Sequence, residues 1–264
     1  MLNEVLKLAH DAGQRVMAIY DAGESGAQCK VDGSPLTEAD LASHHTIIAG
    51  LKQLTPDLPV LSEESAEVGY EMRQHWQRFW LIDPLDGTKE FIKHNGEFTV
   101  NIALIENGRP VMGVVYAPAL GLSYFAEQGG RAFRQLGENA PVAITVALYN
   151  EHEKIRMVGS RSHADPRQEN LVAHLGECEF QSMGSSLKLC LVADGSAHFY
   201  PRLGPTMEWD TAAAHSVVLE AGGVVCNSCG EELRYNKVDL RNPPFVVLAA
   251  ADQQLLERVK AWKW

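Results

Sequence analysis

The chain has 264 residues, of which 45% are hydrophobic and 22% are charged, so disordered, collagen-like and low-complexity classes of protein are excluded. Its 34 acidic residues outnumber its 23 Lys and Arg residues and give a formal net charge of −11. This sign excludes broad binding to a nucleic acid polymer or to anionic lipid, although local cations could still receive a small anionic ligand. At about 150 residues per domain, the length predicts one large domain or two closely packed ones.

Three features of the chain predict a cytoplasmic protein. Glu4 falls where an export signal would be positively charged, and the residues around it have helical spacing. No run of 18 apolar residues occurs, so no transmembrane segment is predicted. The five cysteines are odd in number and lack the spacing of a secreted disulfide framework.

The first half of the chain has the pattern of helices packed on an antiparallel sheet. Apolar residues at helical spacing predict a first helix that ends at Gly23 and a second that begins at the N-cap Thr37. Asn107-Gly108 and Gly129-Gly130 predict the turns of two hairpins. The predicted helices are residues 2–20 and 37–54, and the predicted strands are 58–61, 79–82, 98–104, 111–116 and two strands within 122–133.

After residue 141 the pattern changes to alternating strands and helices, which is typical of an α/β unit. The predicted strands are 155–158, 197–200 and 245–250, and the predicted helices are 185–193, 211–221 and one that runs toward Trp262. We therefore predict an N-terminal α+β subdomain over residues 1–145 and a C-terminal α/β subdomain over 146–264. A cleft between such subdomains is a common place for a ligand.

The strongest chemical signal lies in residues 80–88, Trp-Leu-Ile-Asp-Pro-Leu-Asp-Gly-Thr. A buried strand leads to Asp83 and Asp86, and the proline between them prevents a helical arrangement. With the Leu85 carbonyl, these acids offer the hard oxygen ligands that Mg²⁺ and Mn²⁺ prefer. Gly87 and Thr88 would then offer helix N-terminal amides to an anion. The alternative is an ordinary turn in which Asp86 caps the next helix.

Two further acidic segments follow apolar runs or precede a helix. Glu63 and Glu64 end the strand predicted over 58–61, and Asp210 stands immediately before the helix predicted over 211–221. Each could be structural alone, the glutamates as solvated residues and Asp210 as an N-cap. Together with residues 80–88 they indicate a site for more than one metal ion.

Residues 80–88 and 209–213 (Trp-Asp-Thr-Ala-Ala) resemble the two signature regions of the inositol monophosphatase superfamily, and the resemblance spans nearly the whole chain. Within it, the chain looks most like the bacterial 3'(2'),5'-bisphosphate nucleotidases. The motifs that carry this closer resemblance are residues 62–64, 87–91, 160–163 and 184–188. The resemblance implies an α+β fold, a layered αβαβα sandwich with an antiparallel sheet in the N-terminal half and a mixed α/β C-terminal half.

The implied activity is metal-dependent hydrolysis of adenosine 3',5'-bisphosphate to AMP and phosphate, with Li⁺ as an inhibitor. By resemblance, Glu63, Asp83 and the Leu85 carbonyl hold one Mg²⁺, whereas Asp83, Asp86 and Asp210 hold a second. Two or three Mg²⁺ per site are implied, and Mn²⁺ could substitute. Two cations about 3.5–4 Å apart can activate a water and stabilise the leaving oxygen.

The resemblance also implies a catalytic pair, Thr88 and Asp40, that orients and deprotonates the attacking water. From the residues alone, Asp40 would be an exposed helix residue. The implied substrate-binding residues are Glu63, Leu85, Asp86, Gly87, Thr88, His163, Ser185, Lys188, Arg202 and Asp210. The alternatives are a surface position for His163, a packing role for Arg202 and a helix-capping role for Ser185.

Two other patterns, a cysteine pair and a histidine pair, predict no function. Cys226 and Cys229 have half of a zinc-site spacing, but no second pair completes it. His44 and His45 are adjacent on a predicted helix and point about 100° apart, so both cannot readily bind one metal.

Competing hypotheses are an inositol or sugar phosphate phosphatase and a non-catalytic nucleotide-sensing protein. The expected partner is a small nucleotide, and the chain is expected to be a monomer or a homodimer. Peripheral association with the cytoplasmic side of the inner membrane stays open.

Overall fold

The computed structural model describes residues 1–23, 28–29, 35–65, 68–161 and 165–262. Its helices in these ranges are α1 (Leu2–Ala22), α2 (Glu38–Leu54), α3 (Tyr70–Arg73), α4 (Thr88–Ile92), α5 (Arg167–Leu175), α6 (Leu187–Ala193), α7 (Ala212–Glu220) and α8 (Gln253–Lys260). Its strands in these ranges are β1 (Gln28–Cys29), β2 (Pro35–Leu36), β3 (Val60–Ser62), β4 (Arg78–Asp86), β5 (Thr99–Glu106), β6 (Arg109–Ala117), β7 (Leu122–Glu127), β8 (Ala132–Leu136), β9 (Val142–Ile144), β10 (Ile155–Ser160), β11 (Cys178–Met183), β12 (Phe199–Arg202), β13 (Gly223–Asn227) and β14 (Phe245–Ala249). None of these helices is long and apolar enough to cross a membrane.

Two large sheets carry the architecture. Strands β3 to β9 form a seven-stranded sheet in sequential order, antiparallel except for the parallel pair β3 and β4. A five-stranded mixed sheet has the order β11-β10-β12-β14-β13. The antiparallel first half and mixed second half are therefore confirmed, as are both hairpins.

Helices separate and flank the two sheets in five layers. Helices α1 and α2 pack on one face of the seven-stranded sheet, and α7 packs on its other face. Helices α6 and α7 also contact the five-stranded sheet, whose outer face is covered by residues of α5 and α8. This is the predicted αβαβα sandwich. The subdomain boundary at residue 145 stays a prediction, because the central helices contact both sheets.

Strand β4 shows why its sequence is apolar without interruption. Phe79 and Leu81 face the core that contains α7, whereas Trp80 and Ile82 face the core that contains α1 and α2. Both faces are buried, so alternation between polar and apolar residues disappears. The continuous apolar run is thus the signature of a strand between two helical layers.

Gly113 on β6 determines how closely α7 approaches the sheet. A Cβ atom at this glycine would lie 2.1 Å from the carbonyl oxygen of Ala213, near the start of α7. Only a residue without a side chain permits this distance. The close packing places the beginning of α7, and hence Asp210 just before it, against the first half of the chain.

Some predicted boundaries differ from the structure. Strand β4 continues through Asp86, although the prediction ended it at residue 82. Helix α6 begins at Leu187 and not at Ser185, whose φ of 48° is left-handed and incompatible with a helix start. Elements α5, β11 and β13 were not predicted, since each is a short segment whose pattern does not separate a strand or helix from a loop.

Candidate metal and substrate site

Asp83 and Asp86 lie on the same face of β4 because the strand bulges between them. Asp83 pairs with Asn101 of β5, and Asp86 pairs with Thr99. An advance of three residues along β4 is therefore matched by an advance of only two residues along β5, so β4 contains one extra residue. In a regular strand, residues three apart point to opposite faces, and the extra residue reverses this for Asp86. The sequence predicted a turn, whereas the acids occupy a bulge in a paired strand.

Three carboxylates from separate segments meet beside this bulge. One oxygen each from Glu63, Asp83 and Asp210 lies within 4.8 Å of the others. The N–H of Glu63 donates to a carbonyl of β4 at 3.2 Å. The Asp83 carboxylate accepts a hydrogen bond from the N–H of Leu85 at 3.0 Å, and that of Asp210 accepts one from Met207 at 2.9 Å. The predicted ligands from both halves of the chain are therefore brought together.

The environment of these acids disfavours their charged forms. Burial raises the pKa of Asp83 well above its usual range, and the charges of Glu63, Asp86 and Asp210 raise it further. Burial also raises the pKa of Asp210. For Asp86, burial raises the pKa to about 6, while the nearby Lys188 acts in the opposite direction. A divalent cation would relieve this repulsion, and carboxylate oxygens are the ligands that Mg²⁺ and Mn²⁺ prefer, so the donor set fits such an ion.

Asp86 and the Leu85 carbonyl lie next to the three-acid cluster and have other partners. The Asp86 carboxylate accepts a hydrogen bond from the N–H of Ser186 at 2.5 Å, which ties α6 to the bulge. The Leu85 carbonyl accepts one from the Thr88 hydroxyl at 3.3 Å. Asp86 and Leu85 are thus adjacent to the cluster, and their role as metal ligands stays a prediction.

Asp40 is buried next to Thr88, so its expected exposure is wrong. Its side chain is 2% exposed and accepts hydrogen bonds from the N–H and the hydroxyl of Thr37, at 2.7 and 2.6 Å. Its other oxygen lies 3.4 Å from the Thr88 hydroxyl, whose single proton can be donated either to it or to the Leu85 carbonyl. Ser43, on the same helix, donates to the Pro84 carbonyl at 2.7 Å and holds α2 against the bulge. Burial raises the pKa of Asp40 to about 6.

A signal for this burial was present in the sequence. Thr37 and Asp40 stand at the N-cap and third positions of α2, the spacing of a capping box. In a capping box, the side chain at the third helical position turns back toward the N-cap residue and not outward to solvent. The helix start in turn faces β4, which a single-chain pattern does not reveal.

A cleft of about 260 Å³ opens above the acids. The predicted substrate residues that line it are Glu63, Asp86, Gly87, Thr88, Ser185, Lys188, Arg202 and Asp210. Leu85 is buried at 2% exposure, and His163 lies outside the described residues. Lining residues that the sequence did not predict include Glu90, Tyr200, Thr206 and Phe245. These come from four elements or loops, and no local motif connects them.

The cleft contains two cations opposite the acids. Lys188 is only 6% exposed, its ammonium donates to the Ser185 carbonyl, and it stands 5.7 Å from the centre of the Tyr200 ring. Burial lowers the pKa of Lys188 to about 8. Arg202 donates to the Pro205 carbonyl at 2.8 Å, while its buried Nε has no hydrogen-bond partner among the described residues. A packing role for Arg202 therefore explains its Nη2, which is hydrogen-bonded to Pro205, but not its Nε.

Ser185 and Ser186 do more than cap α6. The Ser186 hydroxyl lies 2.9 Å from the hydroxyl of Thr99 and 2.9 Å from the side-chain oxygen of Asn101, both on β5. Ser185 holds the left-handed φ of 48° at the cleft, a strained conformation of the kind found at binding sites. Thr99 and Asn101 were not predicted, since they join Ser186 only through the fold.

The Arg161 side chain anchors the cleft wall. Its Nε and Nη2 atoms both donate to the Glu97 carboxylate at 2.7 Å, and the N–H of Gly184 donates to the same group at 2.7 Å. Glu97 thus connects the motif at 160–163 with the motif at 184–188. The guanidinium of Arg161 is directed to Glu97.

The cysteine pair and histidine pair are not brought to this site. Cys226 is buried in β13 and Cys229 is exposed beyond it. His44 and His45 both lie on α2, where His44 hydrogen-bonds the Ser62 hydroxyl at 2.9 Å.

Comparison with known proteins agrees with the fold. The chain belongs to the inositol monophosphatase family, whose model matches residues 1–261. Within the family it is similar to proteins named 3'(2'),5'-bisphosphate nucleotidase CysQ. The relative from Escherichia coli K12 is 49% identical over 249 residues, 94% of this chain and 99% of the relative. That from Haemophilus influenzae is 36% identical over 250 residues, 94% and 92% of the two chains.

Solved structures have the same fold. CysQ from Bacteroides thetaiotaomicron, described as a bacterial member of the inositol monophosphatase family, superposes with a TM-score of 0.81 at 42% identity, covering 94% of this chain and 96% of that one. An IMPase from Thermotoga maritima gives 0.79 at 26% identity, covering 98% and 96%.

Proposed function

We propose that this chain is a Mg²⁺-dependent 3'(2'),5'-bisphosphate nucleotidase that hydrolyses adenosine 3',5'-bisphosphate to AMP and phosphate. The observation that carries the proposal is that Glu63 and Asp210, which cluster with the buried Asp83, line one cleft together with the buried cation Lys188. The three acids suit a metal-assisted phosphatase, and Lys188 suits a substrate with a further anionic group. The similarity to proteins named as such nucleotidases supports the same assignment.

Glu63, Asp83 and Asp210 would hold Mg²⁺ together with Asp86 and the Leu85 carbonyl. When bound, Mg²⁺ would polarise the scissile phosphate, lower the pKa of water and stabilise the leaving oxygen. The acids themselves keep other anions out of the site until a cation binds, because they repel a phosphate. The net charge near the reacting phosphate is therefore set by the metal.

Thr88 and Asp40 would move a proton from the attacking water. The Thr88 hydroxyl lies 3.4 Å from Asp40 Oδ1 and 3.3 Å from the Leu85 carbonyl, and its single proton can be donated to one of them at a time. When it donates to Asp40, its oxygen can accept a proton from a water in the cleft. The pKa of about 6 suits Asp40 to act as a general base near neutral pH. Water attacks the phosphorus directly in this scheme, and no covalent phosphoenzyme is formed.

Lys188, Arg202 and Ser185 would bind the second phosphate and the nucleoside. Hydrogen bonds between a cation and a phosphate are stronger than those between neutral groups, and they are strongest in a site shielded from water. Lys188 is buried and Arg202 has a buried donor without a partner among the described residues. A phosphosulfate analogue of the substrate would present the same 3'-phosphate to the acids and an anionic phosphosulfate to these cations, and we expect it to be accepted.

The test is product analysis after incubation of the protein with adenosine 3',5'-bisphosphate and Mg²⁺. We expect AMP and inorganic phosphate in equal amounts, and neither product with a chelator or in the Asp83→Asn variant. The control is Asp194→Asn, which changes a carboxylate that accepts a hydrogen bond from Tyr124 away from the cleft. Metal-independent release, or full activity of Asp83→Asn, would refute the proposal.

A further inference from the structure

Glu208 is a fully buried acid that no part of the reaction scheme uses. It is 0% exposed and stands two residues before Asp210. Its Oε2 accepts a hydrogen bond from the N–H of Asn236 at 2.6 Å. Its Oε1 accepts two from Lys237, one from the N–H at 3.0 Å and one from the ammonium at 2.6 Å. A buried charge with this many partners holds its segment in one conformation, because moving it would leave the charge unpaired.

Asn236 extends this contact to the first half of the chain. Its φ of 69° is left-handed, a conformation that asparagine tolerates better than most residues. Its side-chain oxygen accepts a hydrogen bond from Arg73 Nη1 at 3.0 Å, and its amide donates to the Arg73 carbonyl at 2.7 Å. Arg73 is 3% exposed and also donates to the carbonyls of Lys237 and Val238.

The turn that carries Asp210 is closed on itself and pinned at Glu208. The N–H of Glu208 donates to the Leu240 carbonyl at 2.9 Å, and the Glu208 carbonyl accepts from the N–H of Thr211 at 3.2 Å. The Asp210 carboxylate accepts from the N–H of Met207. A shift of Glu208 would therefore move the Asp210 carboxylate with it. Glu208 and Asn236 do not line the substrate cleft, so any effect that they have on substrate is indirect.

We propose that Glu208, Asn236 and Arg73 form a positioning relay that fixes Asp210 against Glu63 and Asp83 and so sets the affinity of the acidic cluster for a divalent cation. Asp210 comes from the second half of the chain, whereas Glu63 and Asp83 come from the first, and Arg73 belongs to the segment that follows Glu63. The inference rests on the proposed function only in that these acids hold the cation. Residues that orient metal ligands commonly change metal affinity by about 10- to 100-fold when replaced.

The test uses Glu208→Gln and Asn236→Gly in the full chain. The glutamine removes the charge but keeps the shape. The glycine keeps the left-handed backbone, the N–H to Glu208 and the hydrogen bonds from Arg73 to the Lys237 and Val238 carbonyls, but it removes both side-chain hydrogen bonds between Asn236 and Arg73. The matched control is Glu232→Gln, which breaks the partly exposed ion pair of Glu232 with Arg109 in the same region. The readout is the Mn²⁺ concentration that gives half of the metal-induced rise in melting temperature, measured without substrate.

We expect this concentration to rise about tenfold or more in both variants and to change less than about twofold in the control. In a parallel assay of phosphate release, the kcat at saturating Mg²⁺ should stay within about threefold of wild type, because the relay does not touch substrate.

An unchanged half-maximal Mn²⁺ concentration in Asn236→Gly would overturn the proposed relay, even if the melting temperature of this variant falls. If Glu208→Gln fails to fold, the result for Asn236→Gly alone decides. An equal shift in the control would also overturn it. Failure of the wild type to hydrolyse the bisphosphate would refute the proposed function and leave the Mn²⁺ comparison valid.

Discussion

Asp83 and Asp86 face the same side of β4 although they are three residues apart, because one extra residue bulges the strand between them. Pro84 lies in this bulge, where its missing N–H removes no regular ladder hydrogen bond. The bulge places Asp83 and Asp86 on a paired, mostly buried strand and not on a loop.

The Asp83→Asn variant separates the stability of the acidic cluster from its function. Without metal at pH 8, we expect the variant to be at least as stable as wild type, because it removes a buried charge among like charges while Asn can still accept from Leu85 N–H. Wild type should gain about 2.7 kcal/mol at a Mg²⁺ concentration 100 times the Kd, and the variant should gain far less. Urea unfolding with Mg²⁺ and with chelator measures both. A variant that is strongly destabilised in chelator would contradict this account.

Asp40 should contribute stability to the metal-free protein that is lost as the pH rises from about 4 to 7. Burial raises the pKa of Asp40 to about 6 in the folded state, so the folded chain binds a proton that the unfolded chain has released. This stabilisation is complete below the unfolded pKa and is lost as the pH passes through 6. It amounts to about 3 kcal/mol for a pKa raised from 3.8 to about 6.

Unfolding in chelator at pH 5 and pH 7.5 measures this dependence. Relative to Asp40→Asn, wild type should lose stability between these two pH values, because the variant lacks the titrating group. The opposite titration of the buried His215, whose pKa burial lowers to about 3, is common to both proteins. An identical pH dependence in the two proteins would count against the assignment.

The Thr88 hydroxyl is predicted to matter for turnover more than for folding. Thr88→Ala should lower kcat by about 100-fold or more, since it removes the group between Asp40 and the cleft. Thr88→Ser keeps a hydroxyl and should stay within about tenfold of wild type. Steady-state kinetics at saturating Mg²⁺ compares the two, and similar losses in both variants would show that the methyl group, not the hydroxyl, is required.

Gly113 is predicted to be intolerant of any side chain. Gly113→Val should lower the free energy of unfolding by about 1–3 kcal/mol or more, because its Cβ would overlap the Ala213 carbonyl. Gly204→Ala is the control, since no atom lies within 4 Å of the position of its Cβ, and we expect a change within about 0.5 kcal/mol. Equal unfolding free energies for the two variants in urea would contradict the proposed closeness of α7.

Elements with a strong local pattern could be predicted, and contacts between distant segments could not. Helix α1, the hairpins and the acids of residues 80–88 each have a signal within a short window. The bulge at Asp83, the burial of Asp40 and the hydrogen bonds of Ser186 with Thr99 depend on which strands become neighbours. A single sequence does not contain that information as a periodic pattern, because it arises only when segments distant in the chain pack together.

The residue roles were predicted from motifs, and the structure adds their surroundings. It brings one oxygen each of Glu63, Asp83 and Asp210 within 4.8 Å of the others, and Lys188 lines the same cleft as Glu63 and Asp210. The relay through Glu208 had no sequence signal, since its partner Asn236 has no motif of its own. Cytoplasmic location, oligomeric state and the number of bound metals stay predictions.

The most direct test of the central claim is the ratio of kcat/KM for adenosine 3',5'-bisphosphate to that for inositol 1-phosphate, measured at saturating Mg²⁺ in wild type and in Lys188→Met. A hydrogen bond to a charged group contributes about 1.5–3 kcal/mol, so the variant should lose about 10- to 150-fold toward the bisphosphate. It should lose much less toward the inositol ester, which has no second phosphate. Lys260→Met, which breaks an exposed pair with Glu257, is the control. A wild-type ratio well above one that falls in Lys188→Met is the predicted result, whereas a preference for inositol 1-phosphate, or an unchanged ratio in the variant, would contradict the account.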